Sequence, residues 1–418
     1  MLEQTNYRAD FPAFTRPPSS GRKRIYLDNA ATSQKPHAVI TAMNRYFESH
    51  CANVHRGSCW MAQEATADYE AARVKVAEFV NAPSAAEVVF TRNATEALNL
   101  VANTLAWAEP PLKVAAGDEI VTTRMEHHSN LLPWRLLAQR VGATLRYLDI
   151  TDDGLLDLAG LPGLITERTK VVAVVHTSNI LGTVNDLAPI VRRARQVGAL
   201  VVVDASQTAP HMPLDVQRLG ADVVAFTGHK MFGPTGVGVL WGRRELLEAL
   251  PPFFGGGNMI DTVTGDSATY AAPPHKFEAG TPAIAEVIGL GAAVDYLTTI
   301  GMDTVARHER HLVAHALAEL DAIPGLRIIG PRTADDRGSV ISFVSDTADA
   351  DHIGRSLDRA GIAVRTGRHC AALVCDRFRV PATIRVSVSL YNTHDDIDHL
   401  ITTLRTLQTH GCRPAEPR

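Results

Sequence analysis

Cysteine is scarce in this chain: five in 418 residues, at Cys51, Cys59, Cys370, Cys375 and Cys412. They are too few and too irregularly spaced for a disulfide framework. No two stand as C-x-x-C, which sets aside a structural zinc site or a thioredoxin-like motif and leaves room for a lone reactive thiol. Positive charge is not in surplus either. Lys and Arg number 41 against 45 Asp and Glu, a net charge of -4, so the basic footprint of a nucleic-acid binder is missing. No apolar run approaches the roughly 20 residues that span a bilayer. The opening MLEQTNYRADFPAF lacks a basic region followed by an apolar stretch, so no signal peptide is read there. The expectation is a cytoplasmic protein with no membrane or nucleic-acid partner.

What is present is an ordinary globular balance, 45% hydrophobic and 21% charged, in a length that suits two or three domains at roughly 100–200 residues each. From about residue 25 to 285, short β-branched runs alternate with amphipathic stretches. Strands are expected at Glu87–Thr91, Glu119–Thr122, Val171–His176, Leu200–Asp204, Val223–Phe226 and Val237–Trp241. Their near-continuous apolar character predicts burial on both faces. Helical patterns at Ala94–Trp107, Leu131–Val141 and Asp186–Gln196 lie between them. The alternation predicts an α/β fold with a mostly parallel sheet. The Gly- and Pro-rich segment Pro251–Pro274 reads as a loop. A helical pattern covers Pro282–Ile300, and a smaller α+β region follows.

The chemistry gathers at strand ends, where open α/β sheets place ligands. Lys230 stands in Thr227-Gly228-His229-Lys230, directly after a strand. It is a Schiff-base candidate, with Thr227 and His229 available to a phosphate; a surface lysine in a loop is the plain alternative. Asp204 ends the run Leu200–Asp204. It would either pair with a protonated pyridine nitrogen or cap a helix. Gln207 follows it. His127, in Glu126-His127-His128-Ser129-Asn130, would stack on an aromatic cofactor or serve as a cap. The paired histidines have no recognised metal-ligand spacing, and no metal is expected. Arg92-Asn93-Ala94-Thr95-Glu96 opens a helix, where free N–H groups bind phosphate and where Asn93 or Thr95 would equally cap. Finally, Arg365-Thr366-Gly367-Arg368-His369-Cys370-Ala371 sets one cysteine among cations, and cationic neighbours favour the nucleophilic thiolate.

Together, Lys230, Asp204, Gln207, His127 and the RTGRHCA segment resemble the fold-type I, class-V pyridoxal-phosphate enzymes, and within them the SufS-type, group II cysteine desulfurases. Matching blocks run from YLDNAAT at 26–32 through NVHRG at 53–57, MEHHSNLLPW at 125–134, HTSNILGTVND at 176–186 and TGHKMFGPTGVGVLWG at 227–242. GGGNMI at 255–260, FEAGTP at 277–282 and RTGRHCA at 365–371 complete them. The chain departs from the common pattern at Arg368, at Asp186 and in the Ala371-Ala372-Leu373-Val374 that follows the cysteine.

The resemblance implies a large seven-stranded domain over 25–285, and a small domain from 1–24 and 286–418 that carries the cysteine loop. It implies pyridoxal 5'-phosphate held by Lys230, with Asp204 on the pyridine nitrogen, Gln207 on the phenolic oxygen and His127 stacked on the ring. Thr95, Thr227 and His229 would hold the phosphate. Gly255, Gly256 and Thr281 would complete it from the second subunit of a homodimer. Asn179 and Arg385 would bind the substrate carboxylate, with His55, Arg56 and Arg365 nearby. Catalysis would fall to Cys370, Lys230 and His127. L-cysteine would become L-alanine and a persulfide on Cys370, passed to a SufE- or SufU-like acceptor for iron–sulfur cluster assembly. Selenocysteine lyase, or another class-V pyridoxal-phosphate enzyme, is the alternative.

Overall fold

The computed structural model describes residues 7–15 and 24–409; Cys412 lies outside them. A short first strand, β1 (Ile25–Tyr26), precedes β2 (Val88–Thr91), β3 (Glu119–Thr123), β4 (Thr144–Leu148), β5 (Thr169–Val175), β6 (Leu200–Asp204), β7 (Val223–Thr227) and β8 (Gly238–Gly242). The last seven form one sheet in the order β2-β8-β7-β6-β5-β3-β4. Only β8 runs antiparallel to its neighbours; the other pairs are parallel. The α/β fold and mostly parallel sheet expected from the sequence are what forms.

Burial on both faces explains the continuous apolar runs. Along β6, Val201 and Val203 enter one core while Val202 enters the other. Along β7, Val224 and Phe226 face the first and Val223 and Ala225 the second. The parallel register sets Val175 beside Asp204, and Asp204 beside Ala225. The carboxyl ends of β5, β6 and β7 therefore open on one edge of the sheet.

Two helices beyond those expected, His37–Ser49 and Trp60–Phe79, pack against Ile284–Ile300. The loop expected over Pro251–Pro274 needs correction: it contains an antiparallel hairpin of β9 (Ile260–Val263) and β10 (Ala268–Tyr270). Its turn is closed by Thr264 N–H donating to Ser267 O at 2.8 Å. The hairpin residues are largely exposed, so they carry no burial pattern that would reveal a strand.

The smaller core lies around β11 (Leu326–Ile329), β12 (Val340–Ser345), β13 (Ile362–Ala363), β14 (Arg365–Gly367) and β15 (Thr383–Ser387). Four of these form an antiparallel sheet in the order β11-β12-β15-β14. Strand β1 pairs in parallel with β13, and Ile25 and Leu27 join the same core. No single helix among the described residues is long and apolar enough to cross a membrane.

Candidate active site

A cavity of about 370 Å³ opens at the carboxyl ends of β5, β6 and β7. It is lined by Thr95, His127, Asn179, Asp204, Gln207, Thr227, His229, Lys230, Arg365, Cys370 and Arg385. These come from positions 95 to 385, so the fold assembles what the sequence scatters.

One end is built for an anion. The helix Ala94–Trp107 points its N-terminus into the cavity, capped by Asn93, whose Oδ1 accepts from the Glu96 N–H at 2.9 Å. Thr95 Oγ1 lies 2.7 Å from Ser129 Oγ. The helix start is pressed on the sheet at Gly238, where an added Cβ would come within 2.4 Å of the Asn93 carbonyl carbon. Thr227 Oγ1 is buried with no partner, and Ser206 completes the lining. Free helix N–H groups and hydroxyls suit a phosphate.

The middle holds Lys230, in the 3-10 turn Gly228–Lys230 that follows β7. Burial pushes its ammonium down to about 8, against the pull of Asp204. A Schiff-base lysine needs such a shift, because only the neutral amine attacks a carbonyl. Asp204 is buried at the end of β6, and its Oδ1 accepts from the Ser206 N–H at 2.9 Å. That bond closes a local turn rather than capping a helix, so the cap alternative falls away. His127 caps a 3-10 turn: its Nδ1 accepts from the Ser129 N–H at 3.0 Å, leaving the ring proton on Nε2. Burial and the nearby Lys230 push its pKa down to about 4, so the ring is neutral at pH 7. His127 thus caps its turn, as one of the two expectations had it, and also lines the cavity. His229 is likewise neutral, pushed to about 4 by burial, Lys230 and Lys35. Gln207 Nε2 donates to Ala30 O at 2.9 Å, and its Oε1 has no partner.

At the third side, His369 and Cys370 take consecutive left-handed conformations, φ 50° and 55°. Non-glycine residues do so rarely, and this loop is held in place by three bonds. The His128 N–H donates to Cys370 O at 2.7 Å, Ala372 N–H to His128 Nε2 at 3.2 Å, and Asn179 Nδ2 to His369 O at 2.7 Å. Of the cationic neighbours expected beside Cys370, Arg368 and His369 are engaged elsewhere. Arg368 is ion-paired with Asp376 and bonds Ala372 O. His369 is buried, its pKa pushed down to about 3 by burial and Arg385, with Nε2 2.8 Å from Thr383 Oγ1. Arg365 and Arg385 join Lys230 as cationic groups on the cavity wall, the two arginines held by the two oxygens of Asp28 at 3.1 and 3.0 Å. Arg385 NH1 also donates to Asn179 O at 3.1 Å.

Pyridoxal phosphate passes a test made on these atoms. Asn179 Oδ1, Gln207 Oε1, Thr227 Oγ1 and Arg385 Nε are all buried without partners and all belong to cavity residues. His369 Nδ1 is a fifth. Buried polar atoms are normally paired, so five orphans on one cavity mark the place of a polar ligand. An anion site at one end, a lysine of lowered pKa, and a carboxylate beneath are the groups that cofactor requires.

His55, Arg56, Gly255, Gly256 and Thr281 are not on this cavity. Arg56 and Thr281 line a separate pocket of about 230 Å³ with Asn53, Gly257 and Asn258. Gly256 lies beside Ala279 and Gly280. His55 Nε2 is 2.8 Å from Glu70 Oε1 and its ring is near His275, a grouping that would suit a metal by residue type. Arg73 already binds both oxygens of that carboxylate, at 2.9 and 3.3 Å. Sequence reasoning overlooked Asp28, Ser129, Ser206 and the loop-holding role of His128. YLDNAAT and MEHHSN were in view, but the contacts of Asp28 span 337 and 357 positions.

Residues 25–400 match the profile of the family described as aminotransferase class-V. A probable cysteine desulfurase of Streptomyces coelicolor is 59% identical over 401 residues, 96% of each chain. The cysteine desulfurase of Dickeya dadantii is 47% identical, over 96% of this chain and 95% of that one. A crystal structure of the cysteine desulfurase CsdA from Escherichia coli, in an S-sulfonic acid form, matches with TM-score 0.89. It is 38% identical and covers 99% of this chain and 100% of that chain. From β1, through the sheet and its lysine turn, to the cysteine loop, this chain belongs to the class-V aminotransferase family.

Proposed function

We propose that the protein is a pyridoxal-phosphate-dependent cysteine desulfurase of the SufS-like, group II kind. The observation that carries this reading is Cys370, exposed and held by three hydrogen bonds on the wall of the cavity that also holds Lys230. The similarity to cysteine desulfurases over nearly the whole chain supports it. Other class-V chemistry, transamination for instance, gives a cysteine there no task. Selenocysteine would fit the same cavity, and relative rates on the two substrates would rank them.

Bound pyridoxal phosphate supplies an electron sink for the substrate's Cα. The rest falls to side chains. Thr95, Thr227 and His229 would hold the phosphate, Asp204 would pair with the pyridine nitrogen, Gln207 would bond the phenolic oxygen, and neutral His127 would stack on the ring. Arg385 and Asn179, with Arg365 at the rim, take the carboxylate of L-cysteine; a guanidinium suits this because its fork pairs with two oxygens. Lys230 Nζ takes the Cα proton. Cys370 thiolate attacks the substrate Sγ, the S–C bond breaks, and the carbon skeleton leaves as L-alanine. The balance is L-cysteine plus Cys370 thiol giving L-alanine plus Cys370 persulfide.

Two further parts belong to the same proposal. His55, Arg56, Gly255, Gly256 and Thr281, which do not line their own cavity, serve the partner's in a homodimer. The persulfide on a tethered loop goes to a SufE- or SufU-like acceptor that docks at it, in the cytoplasm, for iron–sulfur cluster assembly. A stoichiometric acceptor that leaves turnover unchanged would remove that part.

The test is alanine formation from L-cysteine under reductant by wild type and Cys370→Ala. The variant should stay yellow and lose more than roughly 10²-fold in rate, as removal of a nucleophile does. Equal rates would take Cys370 out of the mechanism.

A further inference from the structure

The carbonyl of His229, on the peptide that leads into Lys230, receives an unusual number of donors. Thr32 Oγ1 is 3.0 Å away, Ser33 N 3.1 Å, Ser33 Oγ 3.2 Å and Lys35 Nζ 2.8 Å. A carbonyl oxygen offers two lone pairs, so this oxygen is saturated. Lys35 Nζ also donates to Ser33 O at 2.6 Å. The donors belong to one short segment that is itself fixed from three sides. Tyr26 OH donates to Thr32 O at 2.9 Å, Phe232 N–H to Ser33 Oγ at 2.9 Å, and Gln34 N–H to Tyr391 OH at 3.0 Å.

Lys35 is the costly member. Its side chain is partly buried, no carboxylate pairs with it among the described residues, and desolvation pushes its pKa down to about 7. Lysine is almost never buried unpaired unless the site gains from it. What this site gains is an amine donor on the peptide that joins His229 to Lys230. The turn Gly228–Lys230 is one 3-10 turn, and beyond this carbonyl its own backbone ties are the Gly228 N–H to Val237 O and the Met231 and Gly233 N–H groups to Gly228 O.

We propose that Lys35 is a positioning residue for Lys230, acting through the His229 carbonyl. It fixes the plane of the peptide that precedes Lys230, and with it the direction in which the lysine side chain leaves the turn. Lys35 is not on the cavity wall and touches no reacting atom. Thr32 and Ser33 share the task as weaker donors.

The test compares wild-type, Lys35→Met and Lys35→Arg holoenzymes by kcat and KM for alanine formation, by visible circular dichroism of the bound cofactor, and by thermal unfolding. Lys35→Met should keep KM within about twofold, lose about tenfold or more in kcat, and alter the circular dichroism per bound cofactor, because small misplacements of a reacting group are expensive. Lys35→Arg should recover most of both. A Lys35→Met holoenzyme with wild-type kcat and wild-type circular dichroism overturns the proposal, whatever its melting temperature. If Lys35→Met does not fold, Thr32→Val removes one donor from the same carbonyl and is decided by the same readouts. The kcat measurement rests on the desulfurase reading and the circular dichroism does not, so a wild-type chain that made no alanine would sink that reading and leave this one to the spectrum.

Discussion

Lys230 is held near neutrality by burial, with its pKa at about 8. The sign of the consequence is fixed: below that value the amine is protonated and cannot attack an aldehyde. Apoprotein should therefore take up pyridoxal phosphate faster as pH rises through about 8, and Lys230→Ala should show no such step. Stopped-flow absorbance across that range checks it. Arg385 supports a second expectation. Its fork is divided between Asp28 and Asn179 O, and lysine could not reproduce that geometry. Arg385→Lys should raise KM for L-cysteine by about tenfold or more while leaving the cofactor colour intact, about the value of one charge-assisted hydrogen bond. Lys230, Asp204 and Cys370 were legible because each sits in a short motif with its own chemistry. Asp28 was not, since an aspartate after a two-residue strand means nothing until Arg365 and Arg385 are folded onto it.

Elements hold these residues through a few expensive contacts. Arg73 and Glu278 are both buried and pair at 2.6 Å, joining Trp60–Phe79 to the segment after the hairpin. Glu278 also accepts from the Phe90 N–H at 2.7 Å, which ties β2 to the same point. Removing either partner strands the other's charge, so Arg73→Met should cost about 3–5 kcal/mol in urea unfolding. Gly238→Ala should act on the anion site rather than on stability alone. Its Cβ would drive the Asn93–Ala94 backbone off the sheet, and cofactor retention should fall by about tenfold or more. The central strands could be read because both faces are apolar. Strand β4, half exposed at the sheet edge with Arg146 in its middle, could not. Trp60–Phe79 escaped notice because much of its buried face is alanine, at Ala62, Ala65, Ala72 and Ala77.

At the scale of the whole molecule, the assignment of Arg56 and Thr281 to a partner's cavity requires a dimer. Sedimentation should give about twice the chain mass of 45.1 kDa, and a stable monomer with full activity would remove both residues from the site. Strand β1 carries a different message. Its ladder partner is β13, and Leu27 O accepts from the Ser387 N–H at 2.8 Å. Asp28, next along, meets Arg385. A segment made among the first thirty residues thus waits, during synthesis, for partners between 362 and 387. Chains stopped short by a premature stop or a protease would lack both the wall of the cavity and the mate of its first strand.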